Sequence, residues 1–379
     1  MKKRLLLLGG GHAHVHVLQA LAREPLVGAE VAMVTPFARQ LYSGMVPGVV
    51  AGHYRVDDCA IALQPLAAAA GVHFMAGAAV KLDAAARQVT LGDGRVVDYE
   101  VLSLDTGAAM DRDRMSGASE HGLFVRPMEH FVRLLEGLYD LAARQVLDVV
   151  VVGGGAAGVE LALALEYRLA GRGEERARVA LVTGGPDPLD GYAPGVMQRV
   201  ARVLAQRRIT VFRDQCQALE AGAVLLSSGA RLACDVPVLA TGAEAPAWLR
   251  GSGLQLDERG FVATGASLQS ASHPDVFAVG DVASRADLPH PRSGVYAVRA
   301  GPALALNLRR FVAGGQLQSH QPSLRALNLI SCGERRAIVS WGGLALQGRW
   351  AWWWKDRIDR RFVARYALPP ARAEAIRSA

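Results

Sequence analysis

A chain of 379 residues is too long for one compact core and fits two or three domains. At 51% hydrophobic and 20% charged residues it is globular, and no apolar run reaches the roughly 18 residues that cross a bilayer, so extended disorder and helical membrane spans are excluded. The net charge of +7 is concentrated at the end, where Arg349–Ala379 holds eight Lys/Arg against three acids.

The opening MKKRLLLL imitates an export signal, but its apolar stretch stops at Gly9, short of the roughly 7 to 15 residues of an export core, with no small-residue cleavage site after it. It reads as a first strand. A turn with Gly9, Gly10 and Gly11 leads into the helical pattern HAHVHVLQAL, and a second strand covers Ala29 to Thr35. The loop YSGMVPG (Tyr42 to Gly48) follows. In QVTLGDGRVV (Gln88 to Val97), Asp93-Gly94 sits between alternating apolar residues and predicts a hairpin. The strand VLSLDTG (Val101 to Gly107) closes this first unit.

The pattern then repeats. VVVVGGGAAGVELALAL carries Gly153, Gly155 and Gly158 in full register, with strands RVALVT (Arg178 to Thr183) and DVPVLATG (Asp235 to Gly242) behind it. DVFAVGDVA (Asp275 to Ala283) is a strand ending in an acid between small residues, and GVYAVRAGPALALNL (Gly294 to Leu308) starts a helix, so the chain returns to the first unit. The expected class is α/β, with two Rossmann-like dinucleotide-binding domains, the second inserted in the first. The boundaries are 1–108 with 243–321 for the first domain and 109–242 for the second. The tail, 322–379, should hold two short strands (Ala326 to Ser331, Arg336 to Trp341) and a basic, Trp-rich amphipathic helix.

One such loop holds one dinucleotide. Two in one chain point to two dinucleotides face to face, and the usual reason is to pass a hydride between a nicotinamide and a flavin. In the first loop Gly9 permits the tight bend and Gly11 lets the backbone approach a pyrophosphate, whose charge meets the amides of His12 and Ala13 at the helix start. His14 replaces the third glycine, at the expense of close helix–strand packing. The acid expected at the adenine ribose is absent; Thr35 and Pro36 stand there, and Thr35 offers one hydroxyl. The second loop's paired strand ends in Thr183-Gly184-Gly185, with neither the acid of an NAD site nor an adjacent arginine for NADP, so the choice between the two stays open. Glu160, on the first turn of the second helix, would position a carboxamide or relay a proton; the plainer reading is an acid favoured by the helix dipole.

Cys59, Cys216, Cys234 and Cys332 lie far apart, which weighs against a metal site or a local disulfide and fits a reducing cytoplasm. Cys332 reads as a buried structural thiol.

The order GGGHAH, LDTG, GGGAAGVE, LATG, AVGD resembles the two-dinucleotide flavoprotein superfamily of type II NADH:quinone dehydrogenases, sulfide:quinone reductases and disulfide reductases (the pyridine nucleotide-disulfide oxidoreductase type). More narrowly, GGGHAH, YSGMVPG, GVYAVRAGP and GRWAWWWKDRIDRRF resemble the flavoprotein module fused to selenide, water dikinase. The resemblance implies FAD on the first domain and NAD(P)H on the second. It implies that Gly280 and Asp281 bind the ribityl or pyrophosphate part of FAD and that the amides of Tyr296, Ala297 and Val298 face the flavin pyrimidine. It makes Thr106-Gly107 and Thr241-Gly242 the linker turns, beside FAD and NAD(P) respectively. Departures limit the transfer: Cys59 has no close partner, Val159-Glu160-Leu161 holds no cysteine after the second loop, and apolar residues with Arg299 replace the glutamines at the quinone end of the flavin helix.

The expected function is an FAD-dependent oxidoreductase that takes hydride from NAD(P)H and passes electrons to a quinone or another small acceptor. Two alternatives stay open: a flavoenzyme acting on selenium or sulfur species, and a non-catalytic FAD module that senses redox state or binds membrane. Trp350, Trp354, Ile358 and Phe362 recur every four residues, with Lys355, Arg357, Arg360 and Arg361 around them. That stripe suits a bilayer interface or packing on the protein, at a homodimer contact among other places, and the acids Asp356 and Asp359 weigh toward packing. A cytoplasmic location, peripheral at the inner face of the membrane, follows. Nucleic acid is not an expected partner, because no recognised module is present and the positive charge is confined to the tail.

Overall fold

Four consecutive leucines make the strand Lys3–Leu8 apolar on both faces, the signature of a strand covered on both sides, and Leu5 to Leu8 are all buried. The computed structural model, which describes residues 2–170, 177–323 and 325–368, sets this strand at the centre of a five-stranded parallel sheet. From one edge its order is Val276–Ala278, Val101–Leu104, Lys3–Leu8, Ala29–Thr35, His73–Ala76. A second parallel sheet repeats the plan with Leu123–Phe124, Val236–Leu239, Leu147–Val152, Ala177–Val182 and Thr210–Phe212. In each, the strand order reverses beside the glycine loop, which is where open α/β sheets bind ligands.

The strand Val276–Ala278 pairs with Val101–Leu104, so the chain passes through the second unit and comes back to complete the first. The outgoing and returning segments touch: Ala109 and Glu244 exchange N–H···O bonds of 2.9 and 3.0 Å. The hairpin expected at Gln88 to Val97 is part of a three-stranded antiparallel sheet (Ala79–Asp83, Gln88–Leu91, Val96–Asp98). The second unit carries its own such sheet at Cys216–Glu220, Ala223–Leu226 and Arg231–Ala233. Its pattern gave no alternation strong enough to find it.

The tail has three antiparallel strands, Asn328–Cys332, Glu334–Trp341 and Leu344–Gly348, rather than two, followed by the helix Arg349–Tyr366. The third was hidden because Gly342-Gly343 makes a tight turn with φ of +54° and +93°, so its strand begins at once. One face of this sheet sends Ile330, Cys332 and Ile338 into the core of the second unit. The other packs Ala337 and Val339 against Ala351 and Trp352 of the helix, together with Met45, Tyr54 and Cys59. Phe362 and Tyr366 enter the core of the first unit, and Phe362 stacks on Tyr42 with centroids 4.4 Å apart, worth about 1 kcal/mol beyond the area it buries. The tail thus fastens the two units together.

Candidate functional site

The first loop is built around a carboxylate that sequence pattern did not mark. Asp105, between the end of the strand Val101–Leu104 and the turn Thr106-Gly107, is buried, and its Oδ2 accepts the N–H groups of Ala13 at 2.8 Å and His14 at 2.9 Å. Burial raises its pKa to about 7. A Cβ on Gly9 (φ +96°) would lie 2.4 Å from the Asp105 carbonyl oxygen, and one on Gly11 would lie 2.2 Å from its carboxyl group. Gly11 is therefore required by Asp105 and not only by a pyrophosphate. The amide of Ala13, assigned to that pyrophosphate, is taken by Asp105, which leaves the amide of His12 at the uncapped helix start.

His14 does not leave a packing defect. It is fully buried, its Nδ1–H donates to the Gly9 carbonyl at 2.7 Å, and its Nε2 then accepts the Ser103 hydroxyl at 2.8 Å. Because a carbonyl can only accept, the ring is the neutral Nδ1–H tautomer, in keeping with a pKa lowered to about 4 by burial. In the second loop the equivalent Gly158 has no such room: a Cβ there would lie 1.8 Å from the Gly153 carbonyl oxygen.

A cleft of ≈ 520 Å³ opens over the first loop and runs to the second unit. It is lined by Gly9, Gly11, His12, Thr35, Thr106, Gly107, Asp281 and Ala297 from the expected set. Gly280, Tyr296 and Val298 are not among its walls: Gly280 backs onto the Asp105 carboxyl, Tyr296 is buried and stacks on His290 at 4.3 Å, and Val298 packs on the first core. Arg39, Arg126, Glu129 and Trp248 line it unexpectedly. Arg126 meets Asp281 at 3.1 Å, and Arg39 Nε and Glu129 Oε1 lie 3.0 Å apart. Each pair takes one partner from each unit, so the cleft is spanned by two ion pairs that no local motif could reveal.

The cleft fits a dinucleotide. The side chain of His12 is 7% exposed, faces the cleft, and has an Nε2 without a partner. Burial lowers its pKa to about 4, so the ring is uncharged. A phosphate or ribityl group there would satisfy it.

In the second loop Gly153 has φ +135°, and Cβ atoms on Gly155 and Gly242 would meet nothing within 4 Å, leaving open space above the loop. Thr183 is not free for a ribose, because its hydroxyl donates to the Gly185 carbonyl at 2.6 Å. Glu160 does not line the cleft; its Oε1 accepts the Ser331 N–H at 2.7 Å. Burial raises its pKa, opposed by the nearby Lys355 ammonium. Lys355, expected on a cationic border, is buried, and its Nζ donates to Asp359 at 2.6 Å and to the Gly44 carbonyl. Cys332 is 1% exposed and burial pushes its thiol up to about 12, the opposite of an activated nucleophile.

The helix face also differs from expectation. Its buried side is Ala351, Trp352, Lys355, Asp359, Phe362 and Tyr366, whereas Trp350, Trp354 and Ile358 of the predicted stripe are exposed. The covered face follows the small Ala351 and the Lys355–Asp359 pair, which hydropathy alone assigns to water.

Residues 3–301 match the family profile described as pyridine nucleotide-disulphide oxidoreductase. An NADH dehydrogenase-like protein of Mycobacterium tuberculosis is 31% identical over 245 residues, an alignment that covers 61% of this chain and only 61% of that protein. A demethylphylloquinone reductase of Synechocystis is 25% identical over 386 residues, covering 97% of this chain and 93% of that one. The solved structure of NDH2 from Plasmodium falciparum in complex with NADH has the same fold, with a TM-score of 0.81 at 12% identity, covering 96% of this chain and 97% of that chain. The chain belongs to the pyridine nucleotide-disulphide oxidoreductase family.

Proposed function

We propose that this chain is an NAD(P)H dehydrogenase that hands reducing equivalents from a nucleotide on the second loop, by way of FAD on the first, to a quinone or similar small acceptor. The observation that carries the reading is a glycine loop at the same place in each unit, with the cleft over the first loop walled in part by the second unit and bridged by Arg126–Asp281 and Arg39–Glu129. Similarity to the demethylphylloquinone reductase of Synechocystis and to a type II NADH:quinone oxidoreductase of Staphylococcus haemolyticus supports the acceptor class. FAD supplies the two-electron carrier. The chain's own residues do the rest. The His12 amide and ring and the helix start hold phosphate, Asp105 fixes that helix start, and Glu160, whose pKa burial raises against the pull of Lys355, stands near the Lys355–Asp359 pair. Anaerobic mixing with NADH or NADPH is expected to bleach the bound flavin, and a short-chain quinone to restore its colour; an oxidised spectrum that persists with both nucleotides overturns the reading.

The tail supports a membrane-facing role for the same enzyme. Trp341 pairs with Leu344 and Val339 with Leu346, so these side chains share the sheet face that the helix covers, yet Trp341, Leu344 and Leu346 lie beyond it and are exposed. Trp350, Trp353, Trp354 and Ile358 are exposed on the helix itself, with Arg349, Arg357 and Arg361 also exposed along it. Among the described residues no helix is long and apolar enough to cross a membrane. Aromatic groups edged by arginine fit the surface of an anionic bilayer. Replacing Trp350 and Trp353 by Ser is expected to lower partitioning onto anionic phospholipid vesicles about tenfold without loss of flavin. Unchanged partitioning would remove the membrane from this proposal.

A further inference from the structure

The end of the strand Ala177–Val182 carries no acid, and the strand beside it supplies what stands there instead. Val182 and Phe212 are register partners in the parallel pair, so Thr183 and Arg213 leave the sheet side by side. Thr183 N–H donates to the Phe212 carbonyl at 3.0 Å and Gly184 N–H to the Asp214 carbonyl at 2.9 Å, which fixes the two chain ends against each other. In a dinucleotide-binding unit this position meets the 2′ substituent of the adenosine ribose: an acid accepts the free hydroxyl of NADH and repels the phosphate of NADPH.

Here the acid's place is empty space. Cβ atoms on Gly184 and Gly185 would meet nothing within 4 Å, and Gly184 has φ +70°. The Thr183 hydroxyl is already given to Gly185. The acid nearest in sequence, Asp187, is tied up by Arg213, and Asp214 on the neighbouring strand end is bound locally: its carboxylate accepts from the Ser227 hydroxyl and from the N–H groups of Gln215 and Ser228, and these bonds hold its pKa down to about 2. What stands beside the gap is the Arg213–Asp187 ion pair. Arg213 is exposed, and its Nε donates to Asp187 at 2.9 Å, one of five donors on a fork whose geometry matches phosphate.

We propose that the second loop accepts the 2′-phosphate of NADPH in the space beside Gly184-Gly185, with Arg213 as its cation. This rests on the reading of that loop as the nucleotide site. Asp187 holds the guanidinium in place when no phosphate is present, and the phosphate competes for the free side of the same fork.

The test is calorimetric titration of the full-length FAD-loaded protein with adenosine 2′,5′-bisphosphate and with 5′-AMP. The bisphosphate is expected to bind about tenfold more tightly, Arg213→Ala to abolish that preference with 5′-AMP affinity unchanged, and Asp187→Asn to preserve it. Flavin reduction should follow, with kcat/KM for NADPH falling in Arg213→Ala and that for NADH unchanged. Equal affinity for the two ligands, unaltered in Arg213→Ala, overturns the phosphate assignment while leaving the nucleotide site intact. Failure of both ligands to bind, together with flavin that neither NADH nor NADPH bleaches, overturns the nucleotide site and this proposal with it.

Discussion

Asp105→Ala is expected to yield a protein largely free of flavin and destabilised by roughly 3 kcal/mol, because the Ala13 and His14 N–H groups lose their acceptor in a place water reaches poorly. Asp105→Asn keeps an oxygen at the same spot and should retain both fold and flavin. The two variants also differ in pH response. Burial holds the Asp105 pKa at about 7, above its unfolded value of 3.8, so between those values the folded state keeps a proton that the unfolded chain has released. Its contribution to stability therefore falls as pH rises through that window. His12 and His14 act in the opposite sense, since burial lowers both to about 4 from 6.5 and the unfolded chain binds the extra protons. Their contribution rises from about pH 4 to 6.5. Two histidines oppose one carboxyl, so Asp105→Asn should steepen the rise. Denaturant unfolding of the flavin-free protein across that range is the measurement; an identical slope in wild type and Asp105→Asn would show that Asp105 ionises freely in the fold.

The part of this molecule that was legible in the sequence is the part written in short-range pattern. Both glycine loops lie next to their strands, Leu5–Leu8 and Val149–Val152 are apolar runs of the kind a covered parallel strand needs, and AVGD announced the return to the first unit, so the doubled and nested α/β plan could be read directly. What escaped depends on contacts across long separations. Arg126 and Asp281 are 155 positions apart, and Arg39 and Glu129 are 90 apart, and neither pair carries a local signal. Asp105 was in plain view within LDTG, but its task is set by the start of the helix His12–Arg23, which only folding brings over it. The tail misled for a different reason: a buried Lys355–Asp359 pair violates the rule that charge faces water, so a stripe drawn from hydropathy was rotated away from the true packed face.

Gly158→Ala should separate the two cradles functionally. The added methyl would sit 1.8 Å from the Gly153 carbonyl oxygen and 3.6 Å from the Ala240 Cβ; the nearer obstacle is backbone, so no side-chain rotation relieves it and the helix Ala156–Leu169 must lift from its strand. A cost of about 3 kcal/mol is expected, with the shift concentrated at the second loop. FAD should remain bound, because the first loop's helix is anchored independently by Asp105 and His14. Reduction by NAD(P)H should fall by at least an order of magnitude, since the amides at that helix start no longer converge on the pyrophosphate. Gly155→Ala supplies the contrast: its φ of −73° suits alanine and its Cβ would meet no protein atom within 4 Å, so melting should be unchanged while the methyl intrudes on the ligand's own space and raises KM. Flavin content, thermal unfolding and stopped-flow reduction of both variants decide the matter. A Gly158→Ala protein that is reduced at the wild-type rate would mean that the nucleotide does not approach through this loop.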